Sequence, residues 1–424
     1  MNKYLLILLA TAVWPACSSV SAGALELPKI DRRPAAATWP WHSKPVTAIP
    51  QYDPNSTNPL QMDLRGRDLR GLDLRDALAG LQHADFDDRT SWPAVEKRPA
   101  GFDPGKIMEL GKNPGLGLRQ LHQQGITGRG VGIAILDKPL LAEHQEYAER
   151  LRFYEEINIG RSRNADMHGG AVASIAVGKT VGVAPEADLY YIAKFNGDFG
   201  ADGFTWNFEY PARGICRILE INEQLPAERK IRVISISVGW SPEQKGYEPI
   251  TEAAEKAKAA GMLVICSSVE RIHGFKFHGL GRAPLADPDD ANSYEPGAWW
   301  ARKFYEDGRP EERLLVPMDA RTTASPTGAD EYVHYCRGGW SWAIPYIAGM
   351  YALAAQAEPA LTPERFWALA LKTGHTIELH HHGKTYQFGP ILNPVGLIET
   401  LRRGNFPAGN TTIDQATDYT TAGL

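Results

Sequence analysis

The pattern of apolar and polar positions changes character near Gly130. Downstream of it, short and nearly continuous apolar runs at 131–136, 189–192, 233–238 and 262–266 predict buried strands, because a strand covered on both faces has no polar side to alternate with. Between them, 211–225 and 249–260 carry a helical period, the second closed by Gly261, and 341–357 and 363–372 predict two further helices. Strand, helix, strand in alternation predicts an α/β fold with a mainly parallel sheet and helices on both faces. In such a sheet, reacting groups gather at the carboxyl ends of the strands, so polar residues just beyond a strand are the candidates for chemistry.

Upstream of Gly130 the pattern is different. Residues 1–22 predict a signal peptide: Lys3 supplies the positive end, 4–13 are apolar, and Val20-Ser21-Ala22 fits a cleavage site. The apolar run is shorter than the ~20 residues that span a bilayer, and no later stretch predicts a transmembrane helix. Export to the periplasm or outside the cell is therefore expected, ahead of a lipoprotein anchored at Cys17, whose neighbours Trp14 and Pro15 fit a lipobox poorly. Residues 23–104 are rich in Pro and polar residues and predict an extended, loosely packed leader.

Within the leader, Asp63-Leu64-Arg65-Gly66, Asp68-Leu69-Arg70-Gly71 and Asp73-Leu74-Arg75-Asp76 place leucines five apart, like pentapeptide repeats of a β-solenoid. Three turns are too few to close a core of their own. A charged connector docked on the main unit is the first expectation, and a pro-segment shielding the active site the second. Residues 105–405 form the main domain and 406–424 a polar, disordered tail.

Composition narrows the function only by exclusion. A net charge of -5 is mild and of the wrong sign for a phosphate-binding surface, so nucleic acid is not expected as a partner. With Cys17 removed, Cys216, Cys266 and Cys336 allow at most one internal disulfide. No C-x-x-C pair supports zinc, and His380-His381-His382 beside Gly383 reads as a solvated hairpin turn.

Three polar residues stand out by position. Asp137 directly follows the apolar run ending in Leu136, where a carboxylate would be partly desolvated and need a partner; by itself it also fits a turn cap. His168 opens a helix of small residues, and an imidazole suits general-base work. Ser341 follows Gly338-Gly339-Trp340 and begins a helix whose unpaired N–H groups suit a developing oxyanion, although most serines at such positions are caps. Pro345 fits the first turn of that helix.

Together these segments resemble the subtilisin-like serine protease family. Gly130-Val131-Gly132-Ile133-Ala134-Ile135-Leu136-Asp137 is similar to its strand ending in the catalytic Asp. The stretch from His168-Gly169 to Gly182-Val183-Ala184-Pro185-Glu186-Ala187 resembles its histidine segment. Gly339-Trp340-Ser341-Trp342-Ala343-Ile344-Pro345-Tyr346-Ile347-Ala348-Gly349 is similar to its serine signature. Ser235-Ile236-Ser237-Val238-Gly239 matches its substrate-pairing strand, and the likeness runs from about Gly125 to Arg403.

The resemblance implies a subtilisin-like three-layer fold and acyl transfer in which Ser341 attacks, His168 moves the proton and Asp137 orients the imidazole. It implies a peptide or protein substrate held by Ser237, Val238 and Gly239, with no organic cofactor. Structural calcium has no clear acidic loop here beyond Asp287-Pro288-Asp289-Asp290, which reads better as an exposed turn. The order Asp, His, Ser is that of subtilisin. An esterase elbow at Ser341 would need its acid and His among the 83 residues that follow, where no Asp precedes Asp414; Glu378 and His380 keep that reading open.

The clearest departure is Glu270, which stands where the family has an oxyanion-binding Asn. Three outcomes are open: Glu270 is kept protonated by burial and donates, Ser268 or His273 takes over, or catalysis is weakened. Weakened catalysis would make the chain a peptide-binding relative rather than an efficient endopeptidase. Trp340 and Trp342 flank the nucleophile, narrowing the pocket or packing on the leader. Cys336 is a rival nucleophile only in principle, being better suited to a buried thiol or a disulfide half. A third role, interaction through the leader repeats, would require function to be lost with 63–76 while hydrolysis persists.

Overall fold

The computed structural model describes residues 25–404 except 40, 55, 57, 59, 161, 201–202 and 308–311. The expected signal peptide, Cys17 and the tail beyond Gly404 lie outside the described residues. A six-stranded sheet runs in the order Lys29–Ile30, Leu151–Ile157, Asp188–Lys194, Gly132–Asp137, Ile231–Ile236, Leu263–Cys266, and every neighbouring pair is parallel. The four apolar runs are four of these strands. Leu151–Ile157 escaped the pattern because its charges interrupt the apolar run; Arg152 pairs with Asp188, Glu156 with Arg32 and Glu155 with Arg217.

The central strand sorts its side chains by parity. Ile133 and Ile135 enter the core shared with the helices Met167–Val177 and Trp340–Ala357, whereas Ala134 and Leu136 enter the core shared with Glu209–Gln224 and Tyr247–Ala259. Successive strand side chains alternate between faces. Asp137 therefore falls on the face of the two helices that carry His168 and Ser341 near their N-termini.

The leader is not loosely packed. Leu64, Leu69 and Leu74 are 1%, 0% and 4% exposed and share a core with Phe86, Phe102, Ile107 and Met108, closed by Val181 and Tyr332 of the main unit. Each Asp–Arg pair of the repeats closes on itself, Asp63 with Arg65, Asp68 with Arg70 and Asp73 with Arg75. The leader also supplies the edge strand Lys29–Ile30 of the main sheet, and its strand Phe86–Asp87 pairs with Tyr332–Tyr335 in a three-stranded sheet with Arg321–Ala324. A five-residue period matches neither helix nor strand, and part of its apolar cover comes from distant sequence, so the pattern alone could not reveal the packing.

Two details complete the frame. Cys266 and Cys336 are buried free thiols, so they do not form a disulfide with each other. The run His380–His382 sits at the turn of the hairpin His375–His381 and Lys384–Ile391, where His382 and Gly383 take positive φ. Among the described residues, no helix is long and apolar enough to cross a membrane.

Candidate active site

Asp137 ends its strand 5% exposed, and its Oδ1 accepts hydrogen bonds from the Lys138 N–H at 2.8 Å and from His168 Nδ1 at 2.6 Å. Burial by itself would raise this carboxyl. The charge and hydrogen bond of His168, with the positive charge of Lys194, outweigh it and hold Asp137 below the usual carboxylate range. Lys194 closes the neighbouring strand, fully buried, with its Nζ on the Asn196 side chain. Burial depresses its ammonium to about 8 against the pull of Asp137.

His168 is the second residue of its helix, which Asp166 caps by accepting the His168 N–H at 2.9 Å. The next residue must be small. A Cβ on Gly169 would lie 2.2 Å from the Lys138 carbonyl and 2.7 Å from the Tyr191 hydroxyl, so only glycine lets this helix descend onto the strand end that bears Asp137. The imidazole meets the Trp342 ring edge to face, with centroids 5.5 Å apart.

Ser341 is also second in its helix, behind Gly339 at φ 127°, a backbone conformation that only glycine adopts freely. Pro345 does not occupy the first turn as expected, because the helix already begins at Trp340. A proline N at 345 leaves the Ser341 carbonyl without its i+4 donor, and Ser237 Oγ fills the vacancy at 3.1 Å. In return Ser341 Oγ donates to the Ser237 carbonyl at 3.4 Å and not to His168. Ser237 lies on this face because Val233, two strand positions before Ser235, packs into the same core.

The loop before Ser341 is gripped from two sides. Asp319 accepts the Gly338 N–H at 2.8 Å, and from the leader Asp85 accepts the Cys336 N–H at 2.8 Å while the Tyr52 hydroxyl accepts from Arg337 at 2.8 Å. Cys336 donates its thiol to the Gln82 carbonyl, and burial pushes its pKa up, so it is no rival nucleophile.

Burial also pushes Asp85 up to about 8, against the opposing Cys336 hydrogen bond and Arg65 charge. A carboxyl whose folded pKa is raised contributes stability fully at low pH and loses it as pH climbs from the unfolded value toward the folded one. The unfolding midpoint of wild type is thus expected to fall between about pH 4 and 8. The Asp85→Asn variant, fixed in the neutral form, should show a flatter profile in thermal melts across that range.

Glu270 does not sit as a buried acid. Its side chain is 57% exposed and pairs with Lys276 at 3.2 Å. The two substitutes are also committed elsewhere: Ser268 Oγ bonds both backbone groups of Trp240, and His273 Nε2 accepts the Val264 N–H with burial lowering the ring to about 4. Gly239, Trp240, Ser267, Ser268, Glu270 and Arg271 help to line a pocket of 530 Å³ beside Ser237. The acidic turn is used internally, Asp289 accepting from Asn113 and the Gly117 N–H, and Asp290 capping Asn292. Among the described residues no group of three or more His, Cys, Asp or Glu is placed to hold a metal.

The structure thus joins Asp137 to His168, and Ser341 to Ser237. Sequence reasoning missed Lys194, hidden in an apolar strand, and the leader's Asp85 and Tyr52. The only signal for Lys194 was a lysine where the buried run 189–192 should have continued.

The subtilase family model matches residues 128–295, a span that contains Asp137 and His168. Over that span the chain resembles the subtilase family. Its relatives are distant. It is 38% identical over 85 residues to the subtilisin-like protease PopC of Myxococcus xanthus, covering 18% of each chain. It is 28% identical over 291 residues to an intracellular serine protease of Paenibacillus polymyxa, covering 61% of this chain and 79% of the relative. It is 25% identical over 293 residues to the serine protease AprX of Bacillus subtilis, covering 59% and 62%. The chain spans less than two thirds of the length of two of these three relatives.

Proposed function

We propose that the chain is an exported serine endopeptidase that hydrolyses peptide bonds through Ser341, His168 and Asp137. The observation that carries the reading is the 2.6 Å bond between His168 Nδ1 and the buried Asp137 carboxylate, on the face where the helix of Ser341 begins. An imidazole tethered at Nδ1 presents Nε2 as a base. Ser341 Oγ attacks the substrate carbonyl carbon, His168 takes its proton, and Asp137 stabilises the imidazolium. The proton then passes to the leaving amine, and water hydrolyses the acyl-enzyme by the same route. A rotation about one bond moves Oγ away from Ser237, and nucleophile–base hydrogen bonds are often loose until substrate binds. The developing oxyanion faces the Ser341 N–H at the start of the helix, which has no intrahelical acceptor. The substrate backbone pairs along Ser237–Gly239.

Export rests on residues 1–22 of the sequence. A leader that shares its core with the main unit and grips the loop before Ser341 stays with the enzyme in this reading, rather than leaving as a pro-segment.

The decisive test is labelling with a fluorophosphonate, which reacts only with an activated serine. Ser341 is expected to be modified in wild type, and the Ser341→Ala protein to stay unlabelled. Folded wild type that resists the reagent would point instead to a peptide-binding relative.

Glu270 takes no part in this scheme. Exposed ion pairs interact weakly, so Glu270→Gln is expected to leave kcat/KM within about threefold at neutral pH. A change beyond tenfold in either direction would show that this carboxyl takes part after all.

A further inference from the structure

The chain buries guanidinium groups in two different ways. Arg65 is 4% exposed and gives two hydrogen bonds to Asp63 of its own repeat and a third to the Tyr335 hydroxyl. Arg321 is 2% exposed and is bonded to no carboxylate among the described residues. Its Nη2 donates to the Val181 carbonyl at 3.0 Å, whereas Nε and Nη1 are buried with no acceptor among the described residues. A guanidinium keeps its charge in a protein, and a buried charge without a partner is strongly destabilising. Compensation for this one has to come from outside the chain.

The surroundings narrow what that group is. Arg321 opens the strand Arg321–Ala324, and Thr323, two positions on, lies on the same face with its Oγ1 also buried and unbonded among the described residues. The guanidinium carbon lies 5.7 Å from the centre of the Tyr346 ring, on the helix that carries Ser341, and the Tyr346 hydroxyl is likewise buried without a partner there. Burial holds Tyr346 and nearby Tyr294 in their neutral forms, so neither supplies negative charge. The charged group acting on Arg321 is a second cation, Arg282, which is 5% exposed. Arg282 gives its N–H groups to the carbonyls of Ala283, Pro284, Ala286 and Ala320. The carboxylates that act on it are occupied: Asp287 accepts the Asp289 N–H, and Asp289 accepts from Asn113 and the Gly117 N–H.

We propose that Arg321 and Tyr346, with Thr323 beside them, bind one small monovalent anion, chloride under ordinary conditions, between the strand Arg321–Ala324 and the helix that carries Ser341. Enclosure selects an ion of that kind. A dianion such as sulfate is larger and holds its water more tightly, and a water molecule would satisfy hydrogen bonds but leave the charge uncompensated. No step assigned to Ser341, His168 or Asp137 passes through this site, so the inference stands apart from the peptidase reading. An anion held only by the folded chain stabilises it by mass action, and that is what an experiment can read.

The test uses the full chain, freed of halide by dialysis into sodium gluconate, whose anion is too bulky for an enclosed site. Sodium chloride or bromide then replaces gluconate at constant ionic strength, and thermal melts follow the exchange. The unfolding midpoint is expected to rise saturably, by about 3–5 °C at a hundredfold excess over Kd. Tyr346→Phe removes one donor and leaves the ring, so it should need at least about threefold more chloride for the same rise. Arg321→Met should show no rise; where that variant fails to fold, Tyr346→Phe decides. Crystals grown in bromide should carry an anomalous peak in contact with Arg321 Nε or Nη1. Midpoints equal in chloride and gluconate, a rise without saturation, or a rise unchanged by Tyr346→Phe overturn the proposal. So does ordered water alone beside Arg321 in the bromide crystals.

Discussion

Replacing Ser341 with alanine is expected to lower kcat for peptide hydrolysis about 10⁶-fold, the scale of losing a nucleophile whose partners act as one unit. No other group stands ready to attack at that place. Cys336, five positions upstream, gives its thiol to the Gln82 carbonyl and is held protonated by burial, and Ser237 gives its hydroxyl to the Ser341 carbonyl. The Ala variant keeps that carbonyl and its helix, so folding and peptide binding should persist while turnover disappears. Steady-state assays against an extended fluorogenic peptide check this. A variant within tenfold of wild type would place the chemistry elsewhere.

Asp137→Asn is expected to lower kcat about 10⁴-fold with little change in shape. Asp137 Oδ1 accepts from both the Lys138 N–H and His168 Nδ1, so an Asn there can turn its NH₂ toward the ring. The imidazole would then hold its proton on Nε2 and could not accept one from Ser341. The carboxylate also matters to stability. Its folded pKa is depressed, so its contribution is present above the unfolded carboxylate range and lost as pH falls through the folded value. Wild type should therefore lose an increment of stability in acid that the Asn variant never had. Parallel melts at neutral and acid pH, with kinetics at neutral pH, separate the two effects. An Asn variant of near-normal rate would mean that the buried pair is structural.

The family strands illustrate what could be read in advance. The runs at 131–136, 189–192, 233–238 and 262–266 were legible because burial on both faces removes nearly every polar residue from a strand, and the helices at Glu209–Gln224, Tyr247–Ala259, Trp340–Ala357 and Pro363–Thr373 lie within two residues of the positions read from their periods. Leu151–Ile157 was not legible, since its charges find partners on other segments. Neither was the start of the Ser341 helix, where Pro345 suggested a first turn that lies one turn earlier; a distant serine hydroxyl makes the misplaced proline tolerable. The exposure of Glu270 was not legible either, since no motif reports burial; its side chain lies in solvent beside Lys276.

Sequence by itself determined the parallel α/β frame and singled out Asp137, His168 and Ser341, because strand parity, helix starts and close-packed glycines are local constraints written in neighbouring residues. Tertiary structure alone decided that Asp137 and His168 bond, that Lys194 lies buried near that pair, and that the leader grips the loop before the serine. Those facts depend on which side chains meet across 31 to 251 positions of sequence, or on how much water is excluded where they meet. A charge or ring acquires its chemical meaning only from that company.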